Sequence, residues 1–241
     1  MSSDPPAPTL AVIVGRAGSK GLPGKNARLL AGRPMIAYSI EHATRALHVD
    51  RVLVSTDGED IARAARAEGA EVVMRPASMS GDDATVDEAV RHAVTSTDAG
   101  HQRVAILYAN VPVRPPDLVD RAIDHLVETG ADSVQSYAPV GKRHPWWMVD
   151  LSDDGRVSPW HPNTVYRRQD LPDAHFPDGG VIALRREALF TVRPDRPHAF
   201  LGEDRRGIRT RPGEVVDIDD ELDLVVAESI IRGGPPSGTT P

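Results

Sequence analysis

Apolar positions fall into two alternating patterns over much of this 241-residue chain. Short apolar runs occupy residues 10–14, 51–55, 71–74 and 104–107. Runs of this kind, rich in Val, Ile and Leu, suit strands of a parallel sheet buried on both faces. Between them apolar residues recur at helical spacing: Ile36, Ile40, Ala43 and Leu47, then a segment over 60–68, then Val86, Ala89, Val90, Ala93 and Val94, then Leu118, Ala122, Ile123 and Leu126. Pro34 and the pair Pro115 and Pro116 stand where helices begin, and Gly69 stands where one ends. The stretch Ser55-Thr56-Asp57-Gly58 reads as a strand end that also caps the next helix. Such alternation with short connections predicts right-handed crossovers and a doubly wound, mostly parallel α/β sheet, with ligands at the carboxyl ends of its strands.

From residue 131 the rhythm changes. Residues 133–137 and 179–184 read as further strands, a short helix is expected near 187–190, and late strands over 208–210 and 214–218. A last helix carries Leu222, Val225, Val226, Ser229 and Ile230. Residues 139–177 are rich in Pro, Asp and aromatic residues without helical period, and hold all three Trp (Trp146, Trp147, Trp160) of a chain that is only 4% aromatic. That clustering fits a small satellite core beneath a long loop, or a protruding β-arm whose aromatic residues anchor a second subunit. One domain over 9–232 is expected, with 1–8 and 234–241 as flexible termini.

Composition narrows the chemistry. The absence of Cys excludes disulfides, thiolate nucleophiles and cysteine-bound zinc. A net charge of −7 argues against a general nucleic-acid surface. No apolar run is long enough for a membrane span, and residues 1–8 lack the pattern of a signal peptide, so a soluble cytoplasmic protein is expected.

Against that acidic background, the loop after the first strand is basic and glycine-rich. Gly15, Gly18, Gly21 and Gly24 permit close approach of backbone to a ligand, and Arg16, Lys20 and Lys25 place three cations on it. It is not a Walker A loop, because the positions that need Gly and Ser or Thr hold Ser19 and Asn26, nor has it G-x-G-x-x-G spacing. A polyphosphate cradle and a solvated turn both fit. Asp217 and Asp219 lie two apart at an expected strand end, so their carboxylates share a face. Such a pair suits Mg²⁺ held jointly with substrate phosphates, or, for Asp219 and Asp220, the capping of the following helix.

Several motifs in order carry a resemblance. Arg16-x-Gly18-Ser19-Lys20-x4-Lys25-Asn26, Ser55-Thr56-Asp57, Arg75-Pro76, Arg168-Gln169-x-Leu171-Pro172 and Asp217-Ile218-Asp219-x-Glu221-Leu222-Asp223 are together similar to the landmarks of the acylneuraminate cytidylyltransferase family, over roughly residues 9–232. The resemblance implies a Rossmann-like nucleotidyltransferase fold and transfer of CMP from CTP to an acidic sugar or related anion, with release of pyrophosphate. It implies that Arg16, Lys20 and Lys25 act on the phosphates, and that Gly18, Ser19, Asn26, Arg75 and Ala84 hold the nucleotide. It further implies that Asp217 and Asp219 bind Mg²⁺, with Asp223 structural, and that residues 139–177 form the arm of a homodimer. Tyr108, Asn110, Lys142, Arg168 and Asp178 are the expected acceptor contacts; for Arg75, Lys142 and Arg168 an ordinary surface charge is the alternative.

The chain departs from the family in the loop Leu107-Tyr108-Ala109-Asn110-Val111-Pro112-Val113-Arg114, where most members read approximately Leu-Gln-Pro-Thr-Ser-Pro-Leu-Arg. The family's Gln falls on Tyr108 and its Thr-Ser on Asn110 and Val111, which argues against N-acetylneuraminate as the preferred acceptor. Asp178 stands where the family has Asn. Two other functions fit parts of the pattern: a GT-A-like glycosyltransferase, and a catalytically silent nucleotide-binding relative.

Overall fold

The computed structural model describes residues 8–18, 21–81, 84–97 and 100–233. Strand β1 (Thr9–Gly15) is buried along its whole length, so it can only sit inside a sheet covered on both faces. A tight antiparallel pair, β2 (Leu29–Leu30) and β3 (Arg33–Pro34), leads into α1 (Met35–Arg45). There follow β4 (Val49–Thr56), α2 (Glu59–Ala67), β5 (Glu71–Met74), α3 (Val86–Thr97), β6 (Arg103–Tyr108), α4 (Leu118–Thr129) and β7 (Ser133–Pro139). The short β8 (Val149–Leu151) and β9 (Val157–Pro159) pair with each other; β10 (His175–Arg185), α5 (Arg186–Leu189), β11 (Arg205–Arg209) and α6 (Glu221–Gly233) complete the chain.

The central sheet has seven strands in the order β11-β7-β10-β6-β1-β4-β5. All neighbours run parallel except β10, which is antiparallel to both β6 and β7. Alternate strand residues face opposite ways, and the two faces bury separate apolar clusters. One holds Ile13, Ile36, Val54, Leu107, Leu118 and Ile123. The other holds Leu10, Leu53, Val90, Ile106, Leu184 and Leu189.

A third cluster fixes the functional end of the molecule. Leu22 from the glycine loop packs with Leu30, Met35, Tyr38, Val216, Ile218, Leu224 and Ala227. Val216 and Ile218 are buried while Asp217 and Asp219 are exposed, so the two carboxylates do share a face. The strand expected over 214–218 is nevertheless absent. Only a bridge between Val113 and Val216 forms, because the segment lies against a loop containing Pro112, Pro115 and Pro116, which lack the N–H donors to extend a ladder. Helix α6 turns Leu224 and Ala227 inward and leaves Leu222, Val225 and Val226 exposed.

Residues 140–174 leave the sheet between β7 and β10. They enclose a small contact set: Trp146 stacks on His161 with ring centroids 5.5 Å apart, Trp147 Nε1 donates to Val165 O at 3.0 Å, and the buried His144 lies 3.0 Å from Pro172 O. The β8–β9 ribbon is exposed throughout, as are Trp160 and Tyr166.

Candidate active site

The glycine loop leaves the carboxyl end of β1 and is held there by side chains from remote segments. Arg75, at the end of β5, donates to Gly15 O at 3.2 Å. Asn26 Nδ2 donates to Arg16 O at 2.9 Å. Asp57 Oδ1 accepts from Ala17 N at 2.9 Å and from Arg75 Nη2 at 3.1 Å. Three consecutive loop residues are thereby pinned before any ligand binds. Asp57 therefore does not cap α2, whose first residue is preceded by Gly58 with no side-chain cap; its carboxylate is drawn instead to the loop and to Arg75.

The glycines serve this packing more than they serve a ligand. A Cβ on Gly15 would meet Ala109 Cβ at 2.9 Å, and one on Gly21 would meet Asp219 O at 2.6 Å. Of the four loop glycines, Gly24 alone adopts a positive φ, of 66°. Gly18 is exposed and lies outside the cleft lining. Ser19 and Lys20 lie outside the described residues.

Above the loop is a cleft of about 590 Å³. It brings together Arg16, Lys25, Asn26, Arg75, Ala84, Tyr108, Asn110 and Asp219, all singled out in the sequence. Lys25 Nζ donates to Ile218 O at 2.7 Å and to Asp219 Oδ1 at 2.8 Å, closing a contact between residues 194 apart in the chain. Helix α3 begins at the cleft with a reciprocal cap, Glu88 N to Thr85 Oγ1 and Thr85 N to a Glu88 oxygen, which fixes Ala84 and Thr85 against the lining. Two buried atoms of lining residues, Asn26 Oδ1 and Arg75 Nε, have no hydrogen-bond partner among the described residues.

The acidic side of the site is under electrostatic load. Asn110 Nδ2 donates to Asp217 Oδ1 and, at 3.3 Å, to Ile218 O. Asp217 is exposed, yet the protein around its carboxylate desolvates it, and Asp219 lies close; together these push its pKa up to about 6, against the pull of Lys25 and Arg114. Burial, and then the charge of Asp217, raise the pKa of the Tyr108 hydroxyl. Among the described residues no cluster of three or more His, Asp or Glu side chains could hold a metal by itself. Asp219 lines the cleft and Asp217 stands beside it, outside the lining; two neighbouring carboxylates suit a hard divalent cation whose remaining ligands come from phosphate and water.

Arg114 is the residue the sequence reading passed over. It is 5% exposed and binds Gly180 O at 2.6 Å, Ser39 Oγ at 2.9 Å, Tyr108 O at 2.9 Å and Val111 O. Burial lowers its pKa to about 9, while Asp217 and Asp178 favour the charge. It thus fixes the backbone that carries Tyr108 and Asn110. The available signal was a lone cation closing an apolar stretch, Val111-Pro112-Val113-Arg114.

Three expected acceptor contacts are placed elsewhere. Asp178 is buried, and its carboxylate accepts from Ser136 Oγ at 2.5 Å, Gly180 N at 2.9 Å and Thr210 Oγ1 at 2.6 Å. It ties β7, β10 and the end of β11 together and is not among the residues that line the cleft. Lys142 and Arg168 are exposed on the 140–174 segment, outside the lining. Asp220 and Asp223 cap α6: Asp220 Oδ1 accepts from Leu222 N and Asp223 N, and Asp223 Oδ2 accepts from Asp219 N and Asp220 N. Asp223 is structural, as expected.

Comparison with known proteins was made against this geometry. The N-acylneuraminate cytidylyltransferase of Streptococcus agalactiae serotype III (strain NEM316) is 32% identical over 193 residues, 76% of this chain and 46% of that protein. The CMP-N,N'-diacetyllegionaminic acid synthase of Legionella pneumophila is 39% identical over 155 residues, 61% of this chain and 65% of that protein. The chain spans about half the length of this Streptococcus agalactiae relative. Among solved structures, a CMP:2-keto-3-deoxy-manno-octonic acid synthetase complexed with CTP superposes with a TM-score of 0.71 at 17% identity, covering 93% of this chain and 98% of the other; at that identity the likeness establishes the fold. The family described as cytidylyltransferase matches residues 10–158, a span that holds the glycine loop, Asp57, Arg75 and the whole of the β6 loop. The chain belongs to the cytidylyltransferase family.

Proposed function

We infer that this protein transfers CMP from CTP to an acidic sugar or related anionic acceptor and releases pyrophosphate. The observation that carries the reading is the meeting of Lys25 with Asp219, beside Asp217, over a pinned glycine loop. The names of the relatives, an N-acylneuraminate cytidylyltransferase and a CMP-N,N'-diacetyllegionaminic acid synthase, support an acidic sugar as acceptor.

In this reading a hydroxyl oxygen of the acceptor attacks the α-phosphorus of CTP. The bond from that phosphorus to the oxygen bridging it to the β-phosphorus breaks, pyrophosphate leaves, and the hydroxyl proton is lost. Arg16 and Lys25 face charge that builds on the phosphate oxygens, where preorganised cations are most effective; Lys20 is the third cation of the loop's sequence. Asn26 Oδ1, buried without a partner, suits the exocyclic amine of cytosine, and the backbone at Ala84 and Thr85 bounds the base. Tyr108 and Asn110 face the acceptor. Asp217 and Asp219 would hold Mg²⁺, which supplies charge neutralisation at the phosphates and a lowered pKa for the attacking hydroxyl.

The exposed apolar residues of 140–174, among them Leu151, Val157 and Trp160, support a homodimer in which this arm packs on a second copy and carries Lys142 and Arg168 to the acceptor. No helix among the described residues is long and apolar enough to cross a membrane, and we propose that the protein works in the cytoplasm. The deciding experiment is a pyrophosphate-release screen of four nucleoside triphosphates against a panel of acidic sugars and other anionic acceptors. Release that needs both CTP and an acidic acceptor is expected. Release with no acceptor, or with another triphosphate only, overturns the assignment.

A further inference from the structure

Five buried side-chain atoms among the described residues lack a hydrogen-bond partner: Asn26 Oδ1, Arg75 Nε, His92 Nδ1, His101 Nδ1 and Arg103 Nη2. Native interiors hold few such atoms, and each calls for a cause. Two of them line the cleft described above. Two others, on His101 and Arg103, line a second cleft of about 620 Å³ that nothing in the proposed reaction uses.

This cleft lies at the opposite end of the same strands. Arg103 opens β6 and donates to Thr9 Oγ1, at the start of β1, at 3.3 Å; Tyr108, at the other end of β6, lines the first cleft. Five strand steps separate the two residues, roughly 17 Å. One wall of the second cleft is apolar, with Leu126 and Val127 from the last turn of α4, and Phe190. Val127 and Phe190 are both substantially exposed.

The other wall is cationic. Arg185 is already engaged, by Gly130 O at 2.5 Å and by Glu187 at 3.4 Å. Arg103 and Arg186 are half-buried and pair with no carboxylate among the described residues. Arg186 lies over the Phe190 ring, 5.8 Å from its centroid. Burial without a counterion lowers the pKa of Arg103. His101 is 6% exposed, and its Nε2 lies 2.9 Å from Asp50 Oδ2, which fixes the ring, while its Nδ1 is buried without a described partner. The acidic groups near this wall are Glu187, held by Arg185, and Asp50, held by His101.

The geometry points to a second ligand site between Arg103, Arg186 and His101, for a small phosphate monoester whose apolar body rests on Leu126, Val127 and Phe190. Two guanidinium groups without counterions match a dianion, which accepts charge-assisted hydrogen bonds from both. The apolar wall adds a preference for an aryl or short alkyl ester over the bare ion.

Calorimetric titration of the full chain with phenyl phosphate tests the site. The wild type binds at millimolar concentration or better, and Arg103→Gln and Arg186→Gln each weaken binding by about tenfold or more through the loss of a charge-assisted contact. Lys25→Ala, in the first cleft, leaves it unchanged. Inorganic phosphate binds at least about fivefold more weakly than phenyl phosphate, for want of the ring contact. Arg186→Gln keeps the test sound if Arg103→Gln fails to fold, because the Arg186 guanidinium makes no hydrogen bond within the described protein. Absence of binding at millimolar phenyl phosphate, or binding lost in Lys25→Ala and retained in Arg186→Gln, overturns the site. Equal affinity for the two phosphates overturns its apolar half.

Discussion

The two ends of the central sheet carry clefts of nearly equal size, about 590 Å³ and about 620 Å³, and they treat their cations in opposite ways. At the carboxyl ends of β1 and β6, Lys25 holds Asp219, Arg75 holds Asp57, and buried Arg114 is surrounded by oxygen acceptors. At the other end, Arg103 and Arg186 have no described carboxylate beside them. A cation fixed by protein partners keeps its position while charge shifts on the substrate, which is what rate acceleration by electrostatic preorganisation requires. A cation without a counterion gains most from the arrival of an anion, which favours binding over chemistry. Net charge alone, −7 for the chain, shows neither arrangement.

The strongest way to break this contrast is at Arg114. Arg114→Met removes the charged donor from the carbonyls of Gly180, Tyr108 and Val111 in a buried setting, leaving Ser39 Oγ beside the last two. Loss of one side of such a buried charged network costs ~3–5 kcal/mol, to be read by chemical denaturation. Arg186→Gln, at the opposite end, changes stability by no more than about 0.5 kcal/mol. Equal stability of the two variants refutes the difference between the clefts.

The next effect is catalytic. Asp217→Asn and Asp219→Asn each lower pyrophosphate release at least ~100-fold through lost charge stabilisation, with thermal unfolding that remains cooperative. Near-wild-type turnover in both removes the metal site from the first cleft and with it the chemical asymmetry between the two ends.

A smaller effect sharpens the acceptor side. Tyr108 offers a ring where an amide would offer a donor and an acceptor, and an unmet polar group on a bound sugar weakens binding about ten- to hundredfold. N-acetylneuraminate therefore turns over at least about tenfold less efficiently in kcat/KM than the best acceptor of the panel, and Tyr108→Gln narrows the gap. Efficient turnover of N-acetylneuraminate by the wild type would falsify this.

The smallest effect is a pH dependence without metal or nucleotide. The folded pKa of Asp217, about 6, lies above its ordinary value near 3.9. The folded state therefore takes up this proton more readily than the unfolded chain, and the associated stability is full below ~4 and lost as pH rises through ~6. Asp217→Asn, fixed in a neutral form, is more stable than the wild type at pH 7–8, and the difference closes as pH falls to about 4. Solvent screening at this exposed residue holds the gap under about 1 kcal/mol. Denaturation curves across that range check it, and a gap that widens toward acid contradicts the sign.

Much of this architecture was legible before folding was considered. The runs at 10–14 and 104–107 fall within β1 and β6, because a strand covered on both faces admits few polar side chains, and 71–74 falls on the half-exposed edge strand β5. Lys25, Asn26, Arg75, Tyr108 and Asn110 converge on one cleft, as the loops at the carboxyl ends of parallel strands must. The errors share one physical cause. Residues 214–218 are rich in β-branched residues like a strand, but their neighbour is a proline-rich loop with few donors. Asp178 looks like an acceptor contact until Ser136, Gly180 and Thr210 take its oxygens. Asp57 sits where a helix cap belongs, yet the glycine loop and Arg75 draw it away.

By itself the sequence determined the alternation of strands and helices over the first half of the chain, the basic character of the glycine loop, and the shared face of Asp217 and Asp219, since each depends on residue spacing over a few positions. Only the tertiary structure decided which charges meet. It sets β10 antiparallel within the sheet, joins Lys25 to Asp219 across 194 positions, buries Arg114 among carbonyls, and leaves Arg103 and Arg186 without carboxylates among the described residues. The energy of a charge depends on the atoms around it in space and on the water they exclude. Residue order along the chain carries no direct record of either.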